Sequence, residues 1–391
     1  MVYLDNAATT PVRPEVFEEM KPYFTQYFGN ASSIYDIAKT SKKAMDKARK
    51  QIADAIGALP EEIFFTGCGS ESDNWALKGT ADALSKKGKH IITTKIEHHA
   101  ILHTGAFLEN HGFEVTYLNV DKDGIVDIDE LKAAIRKDTI LISVMFANNE
   151  IGTIEPIAEI GKIAHEHGIL FHTDAVQAMG HVKINVNEMN IDMLSMSGHK
   201  IGAQKGIGVM YKRKGVRISN LIHGGAQEQT QRAGTENIPA IVGLGKAVEL
   251  SQEEMEETNA RITKLREKLK NGILEKIPYS HFNGHPTKRL PGNTNFSFEF
   301  VEGESMLLML NMKGICASSG SACTSGSLDP SHVLMAIGLP HERAHGSLRF
   351  TIGRENTEAD IDYVLEVLPP IVSRLREMSP LYADFLKKNK Q

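Results

Sequence analysis

The chain has 391 residues, 41% of them apolar and 24% charged, with a formal charge of −5. This length favours two domains, or one large α/β domain with a smaller companion, and the balance argues against disorder, nucleic-acid binding and attachment to a membrane surface. The start, MVYLDNAATTPVRPEV, meets an acid and a proline before any long apolar run, and no later stretch reaches the roughly 20 apolar residues that span a bilayer. The cytoplasm is the expected compartment. Cys68, Cys316 and Cys323 are odd in number and form no CxxC pair, which argues against a disulfide framework and a structural zinc site. At least one thiol should be free.

From about residue 50 to 215, the runs EIFF, HIIT, EVTYL, ILISVMF, GILFHT, MLSMS and GVMY alternate with amphipathic stretches. That alternation predicts a mostly parallel sheet covered by helices, with ligands at the carboxyl ends of the strands. From Pro239 to Lys276 one highly charged helical pattern suits a connector, so a domain boundary is expected within it. Beyond it, NTNFSFEF, GESMLLMLNMKG, ICASS, GSLRFTIG and a closing helix interrupted by Pro369 and Pro370 predict a smaller α+β unit. The expected division is 16–258 for the large domain, and 1–15 with 259–391 for the small one.

EIFF leads through TGCGSESDN into a helical pattern, so Gly67 and Gly69 let a backbone approach an anion and Ser70 adds a hydroxyl at a helix N-terminus. Alone this signal is weak, and an ordinary βα turn capped by Ser70 is the favoured reading of these residues by themselves. MLSMS is followed by Ser197-Gly198-His199-Lys200, where a partly desolvated amine could form a Schiff base at neutral pH, and Ser197 and His199 could donate to a phosphate. A lysine in a polar loop is the alternative. GILFHT ends in Asp174, either a helix cap or the fixed carboxylate that keeps a pyridine nitrogen protonated, and Gln177 follows it. ILISVMF leads into Asn148-Asn149, where an amide could bond a cofactor oxygen or a substrate carboxylate, or serve a polar turn. HIITTKIEHHA offers His98 and His99, and the pattern does not choose which would face a site.

Cys323 lies in SSGSACTSGSLDPS, a run of small polar residues that contributes nothing to a core. Mobility expected there suits a nucleophile that must reach a substrate and carry sulfur away, and an exposed thiol near its ordinary pKa of about 8.5 is already competent. Cys316, in the apolar ICASS, reads as a core residue and Cys68 as a small spacer. Arg349, in LRFTIG, could clamp a carboxylate with two hydrogen bonds or make a surface ion pair.

Together YLDNAATTP, FGNASS, ESDN, EHHA, ANNEIGTI, HTDAVQ, SGHK, RAGTEN, SSGSACTSGSLDPSHVL and SLRFTIGRENTEADID run in order nearly end to end. The chain thereby resembles the cysteine desulfurases of the NifS and IscS type, among the class V aminotransferase-like enzymes of fold type I. The resemblance implies pyridoxal phosphate as cofactor, Lys200 as the lysine that holds it, Asp174 as the partner of its ring nitrogen and His98 as the residue stacked on its ring. It gives the cofactor's phosphate to Gly69, Ser70, Ser197, Gly198 and His199, with Thr235 reaching across from the other subunit of a homodimer. Asn149 and Gln177 would contact the ring oxygen. Arg349, helped by Asn149, would hold the carboxylate of L-cysteine. Cys323 would take the sulfur as a persulfide for an acceptor protein such as an iron–sulfur scaffold, and it is the one residue the resemblance would offer to a cluster. Tyr35, Cys68, Gly69, Ala203, Gln204, Gln229 and Met335 depart from the family pattern without removing a catalytic group. The rival readings are a selenocysteine or cystine lyase on the same fold, which would not load Cys323, and a non-catalytic sulfur or cluster scaffold.

Overall fold

The computed structural model describes residues 1–319 and 330–388, so Cys323 lies outside the described residues. In chain order the strands are β1 (Val2–Tyr3), β2 (Ile63–Thr66), β3 (His90–Thr94), β4 (Glu114–Leu118), β5 (Thr139–Ser143), β6 (Leu170–Asp174), β7 (Met193–Ser197), β8 (Gly208–Lys212), β9 (Ser280–Phe282), β10 (Asn293–Phe298), β11 (Ile315–Cys316) and β12 (Ser347–Thr351). Each of the seven β-rich runs has become one strand of a seven-stranded sheet with order β2-β8-β7-β6-β5-β3-β4. All neighbours pair in parallel except β8, which runs antiparallel to both β2 and β7.

Side-chain alternation splits these strands between two apolar layers. Phe64, Leu141 and Met193 pack on one face with Trp75 and Leu77, while their neighbours Phe65, Ile142 and Leu194 join the larger core on the other. A strand buried on both faces loses the polar alternation of a surface strand, which is why β5 and β7 read as continuous apolar runs.

A second core gathers Val2 and Leu4 from the N-terminus with Ile262, Phe296, Phe298, Phe350 and residues onward to Val372. Its sheet is antiparallel, β9-β10-β12, and β1 pairs in parallel with β11. The chain is thus an α/β protein with a mostly parallel central sheet and an additional α+β unit.

Two local expectations are corrected. The connector is not one helix but two, Ile238–Glu253 and Met255–Lys276, broken at Glu254 (ψ −3°), whose carboxylate bonds Arg13 at 2.8 Å and pairs with Arg354 at 3.3 Å. The closing helix runs unbroken through both prolines, from Glu358 to Glu377. An interior proline costs about 3 kcal/mol by deleting a backbone bond. Here the Leu365 carbonyl that Pro369 cannot serve accepts Lys276 Nζ at 3.3 Å, and burial of Ile361, Val364, Leu368 and Ile371 outweighs the loss.

Candidate active site

Five strands deliver side chains to one edge of the central sheet. Their carboxyl ends carry Gly67–Ser70 after β2, Glu97 and His98 after β3, Asn148 and Asn149 after β5, Asp174 to Gln177 at β6, and Ser197 to Lys200 at β7. Parallel strands end together, so residues far apart in sequence converge there.

Asp174 is buried at the end of β6, where Oδ1 accepts the Val176 N–H at 2.9 Å. Burial pushes its carboxyl up to about 6, opposed by that hydrogen bond and by the charge of Lys200. His98 caps the helix His99–Glu109 by accepting the Ala100 N–H on Nδ1 at 3.1 Å, and burial together with Lys200 lowers its pKa. A neutral His98 that accepts on Nδ1 carries its proton on Nε2. His99 turns elsewhere, its ring 4.8 Å from His332 and 5.1 Å from His103. The carboxyl of Asp73 joins the group, for Asp73, His98 and Asp174 each bring an atom within 4.8 Å of the others.

Lys200 Nζ donates to the carbonyls of Ala7 and Ala8, at 2.5 and 2.8 Å, and Gln177 Nε2 donates to Ala7 O at 3.0 Å. The N-terminal segment therefore crosses the site and holds its lysine. Beside it His199 meets Thr9 Oγ1 at 3.1 Å, and burial with the charges of Lys200 and Lys205 pushes its pKa down to about 4.

In the turn after β2, the N–H of Gly67 is taken by Glu71 at 2.7 Å, and Glu71 is itself gripped by Arg232 at 2.8 Å. Ser70 is exposed at the N-terminus of the helix Gly69–Leu84. Gly69 is required by contact, since a Cβ there would lie 2.7 Å from Val176 Cγ2. Ser197 is buried at the end of β7, and the N–H of Gly198 is donated to Ile207 O at 3.0 Å, so Gly198 acts here through its backbone shape. Thr235 is exposed in the single chain.

Arg349 is 2% exposed on β12, with Nη1 donating to Asn149 O at 3.0 Å, Nη2 to Asp5 Oδ1 at 2.9 Å, and Nε making no hydrogen bond. Asn149 thus meets Arg349 through its carbonyl, while the neighbouring Asn148 is structural: its side chain bonds Ile96 O and the N–H groups of Glu150 and Ile151. Arg349 also exchanges backbone bonds with Ser318. Cys316 is half-buried rather than a core residue, since in the short strand β11 it is its neighbour Ile315 that enters the core, and Cys68 is exposed.

Several groups at this edge were not singled out from the sequence. Asp5 and the Ala7 and Ala8 carbonyls lie within LDNAATTP, and Asp73 lies within ESDN, so the motifs marked the segments but not these roles. Glu97 and Glu150 are fully buried, and desolvation pushes them up to about 8 and about 7. Glu97 accepts Thr94 Oγ1 and the Met145 N–H, and Glu150 accepts Ser331 Oγ.

Residues 2–364 match the family described as "Aminotransferase class-V". The chain is 65% identical over 380 residues to the cysteine desulfurase IscS of Methanosarcina thermophila, covering 97% of this chain and 94% of that one. It is 59% identical to the protein of the same name from Clostridium botulinum over 392 residues, 100% of this chain and 99% of that one. Among solved structures, a NifS-like protein superposes with a TM-score of 0.90 at 38% identity, covering 96% of this chain and 100% of that one. SspA in complex with cysteine superposes with a TM-score of 0.81 at 39% identity, covering 91% and 100%.

Proposed function

The chain belongs to the class V aminotransferases and, within them, to the cysteine desulfurases, and on that premise we propose how its residues divide the work. It takes sulfur from L-cysteine, and pyridoxal phosphate is the cofactor we assign. The observation that carries this assignment is the convergence of Asp174, His98 and Lys200 at one sheet edge. The donor set suits the group: a buried carboxylate for a protonated ring nitrogen, an imidazole beside it, a lysine whose charge reaches both, and a helix N-terminus bearing Ser70 for a phosphate. Bound there, pyridoxal phosphate would supply the electron sink that weakens the bonds around the substrate's α carbon.

Lys200 would hold the cofactor covalently and, once displaced by the substrate amine, move the α proton on Nζ. Its ammonium rests on the Ala7 and Ala8 carbonyls, so release from them accompanies its loss of a proton. Gly69, Ser70, Ser197, Gly198 and His199 would form the phosphate end, and Asn149 and Gln177 would flank the ring oxygen. Arg349 would take the substrate carboxylate, with its unpartnered Nε and the exchangeable Asp5 contact supporting that role. Cys323 thiolate would then attack the substrate sulfur. The carbon–sulfur bond breaks, its electron pair and a proton give alanine, and the sulfane sulfur stays on Cys323 for an acceptor such as an iron–sulfur scaffold.

We also propose a homodimer in which Thr235 reaches the phosphate of the neighbouring subunit. The large domain is read as 16–258 and the small one as 1–15 with 259–391, a reading supported by the two apolar cores. Among the described residues no helix is long and apolar enough to cross a membrane.

The decisive experiment incubates the protein with L-cysteine and measures alanine together with the mass of the Cys323 peptide. Alanine with added sulfur on that peptide supports the reading. Sulfide and alanine release from L-cysteine by a Cys323→Ser chain at the wild-type rate would move the protein to the lyases, and absence of alanine to the scaffolds.

A further inference from the structure

One buried carboxyl has no part in the reaction described so far. Asp73, early in the helix Gly69–Leu84, is 1% exposed, and its Oδ1 makes no hydrogen bond. It is faced by Asp174 and His172 from β6, by Ser195 from β7, and by His98 and Glu97 from the turn after β3. No cation among these neutralises it. His172 Nε2 is 3.7 Å from Asp73 Oδ1, yet its ring nitrogens are held by Ser143 and Ser195 hydroxyls at 2.9 and 3.0 Å, and burial pushes its pKa down to about 3. Lys200 acts on Asp174 and His98 instead.

Asp73 and Asp174 bring oxygens within 4.8 Å of each other. Two like charges at that distance repel strongly even at an effective dielectric constant near 20, in addition to the desolvation of each. The pair therefore holds a proton. Asp174 has the Val176 N–H and the nearby charge of Lys200 to stabilise its anion, whereas Asp73 has the neutral Ser195 hydroxyl and no neighbouring cation among the described residues, and its Oδ1 has no donor. Burial first, and then Asp174, raise the Asp73 carboxyl well above its ordinary range against the opposing hydrogen bond of the Ser195 hydroxyl.

We propose that Asp73 is a positioning residue that carries the proton of a buried carboxyl pair, so that Asp174 faces the cofactor's ring nitrogen as the charged partner. The proposal rests on the pyridoxal phosphate reading for the identity of that nitrogen. Asparagine at position 73 is a permanently neutral replacement of the same shape and should preserve this division of charge.

The test compares infrared spectra and cofactor retention of the full chain, supplied with pyridoxal phosphate and stripped of it. Wild type should show at neutral pH a protonated-carboxyl C=O band that Asp73→Asn lacks, and Asp73→Asn should keep the cofactor and its visible absorbance across the pH range. Asp174→Asn should bind the cofactor at least about tenfold more weakly, as expected for loss of a charged hydrogen-bond partner. Removing its like charge should also make the Asp73 band disappear at a lower pH. Asp73→Ser serves as the band control if the amide variant does not fold. An unchanged acid band in both Asp73 variants, or cofactor loss in Asp73→Asn as severe as in Asp174→Asn, overturns the proposal alone. Full cofactor retention by Asp174→Asn overturns the ring-nitrogen assignment, and the positioning role with it.

Discussion

At the carboxyl edge of the central sheet, Asp73 Oδ1, Glu97 Oε2, Thr93 Oγ1 and Thr173 Oγ1 are buried without a hydrogen-bond partner. In the antiparallel sheet of the second core Arg349 Nε is likewise without a partner, but Thr294 bonds Phe350 O, and Asn283 beside the sheet bonds both Asn295 and Ser297. An unsatisfied buried polar group costs about 1–3 kcal/mol. The first region therefore gives up stability at its buried polar groups, and the second contributes stability through Phe296, Phe298, Phe350 and their neighbours. Substitutions should separate the two: chemistry lost without unfolding in one region, unfolding without lost chemistry in the other.

The largest effect is expected from Lys200→Ala, which on the proposed reading would remove both the covalent hold on the cofactor and the proton carrier. Turnover should fall by at least about 10³-fold, within the range of a lost acid–base group, with the thermal midpoint of the stripped protein nearly unchanged. Retention of a borohydride-fixed cofactor by this variant would break the site assignment.

Next comes Phe350→Ala in the second core, where the ring is fully buried against Phe296. Emptying such a site should destabilise the fold by about 3–5 kcal/mol in denaturant titrations, while the turnover of the folded fraction stays near wild type. A normal midpoint would show that this core does not carry the stability ascribed to it.

A smaller, pH-dependent effect is expected of Glu155→Gln. Burial pushes Glu155 up to about 8, so the folded state keeps a proton that the unfolded chain releases above about 4.5. The unfolded state then binds fewer protons across that window, and stability falls as pH rises from about 4.5 to about 8. The amide should remove part of this slope, gaining stability near pH 8 relative to wild type by about 1–3 kcal/mol and changing little near pH 5. Parallel denaturation curves for the two proteins at all pH values would contradict it.

The smallest effects belong to Cys68→Ser and Cys316→Ser, neither of which lies among the groups around Asp174. Alanine release should stay within about twofold of wild type, a change under 0.5 kcal/mol. A large loss in Cys68→Ser would sharpen the comparison by extending the reactive edge into the turn after β2.

The α/β class was legible because most of the strand runs are apolar on both faces and bounded by helical patterns, and the placement of Lys200, Asp174 and His98 at the sheet edge was legible because each follows such a run or sits in a quoted motif. The unbroken helix through Pro369 and Pro370 was not, since its compensation comes from Lys276, some ninety positions away in sequence (|i−j| = 89 for the bonded pair). Nor was the choice between His98 and His99 open to pattern, because adjacent residues differ only in the direction the turn after β3 gives them.

The sequence by itself determined which segments form strands, which motifs end them and which side chains have chemistry to offer, because periodicity and residue type are local properties. Tertiary structure alone decided that Asp73 faces Asp174, that Lys200 rests on Ala7 and Ala8, and that Asp5 pairs with Arg349. These are meetings across the sheet edge and between the chain's two ends, and the desolvation that shifts the charges of Asp73 and Asp174 exists only once those segments have closed over one another.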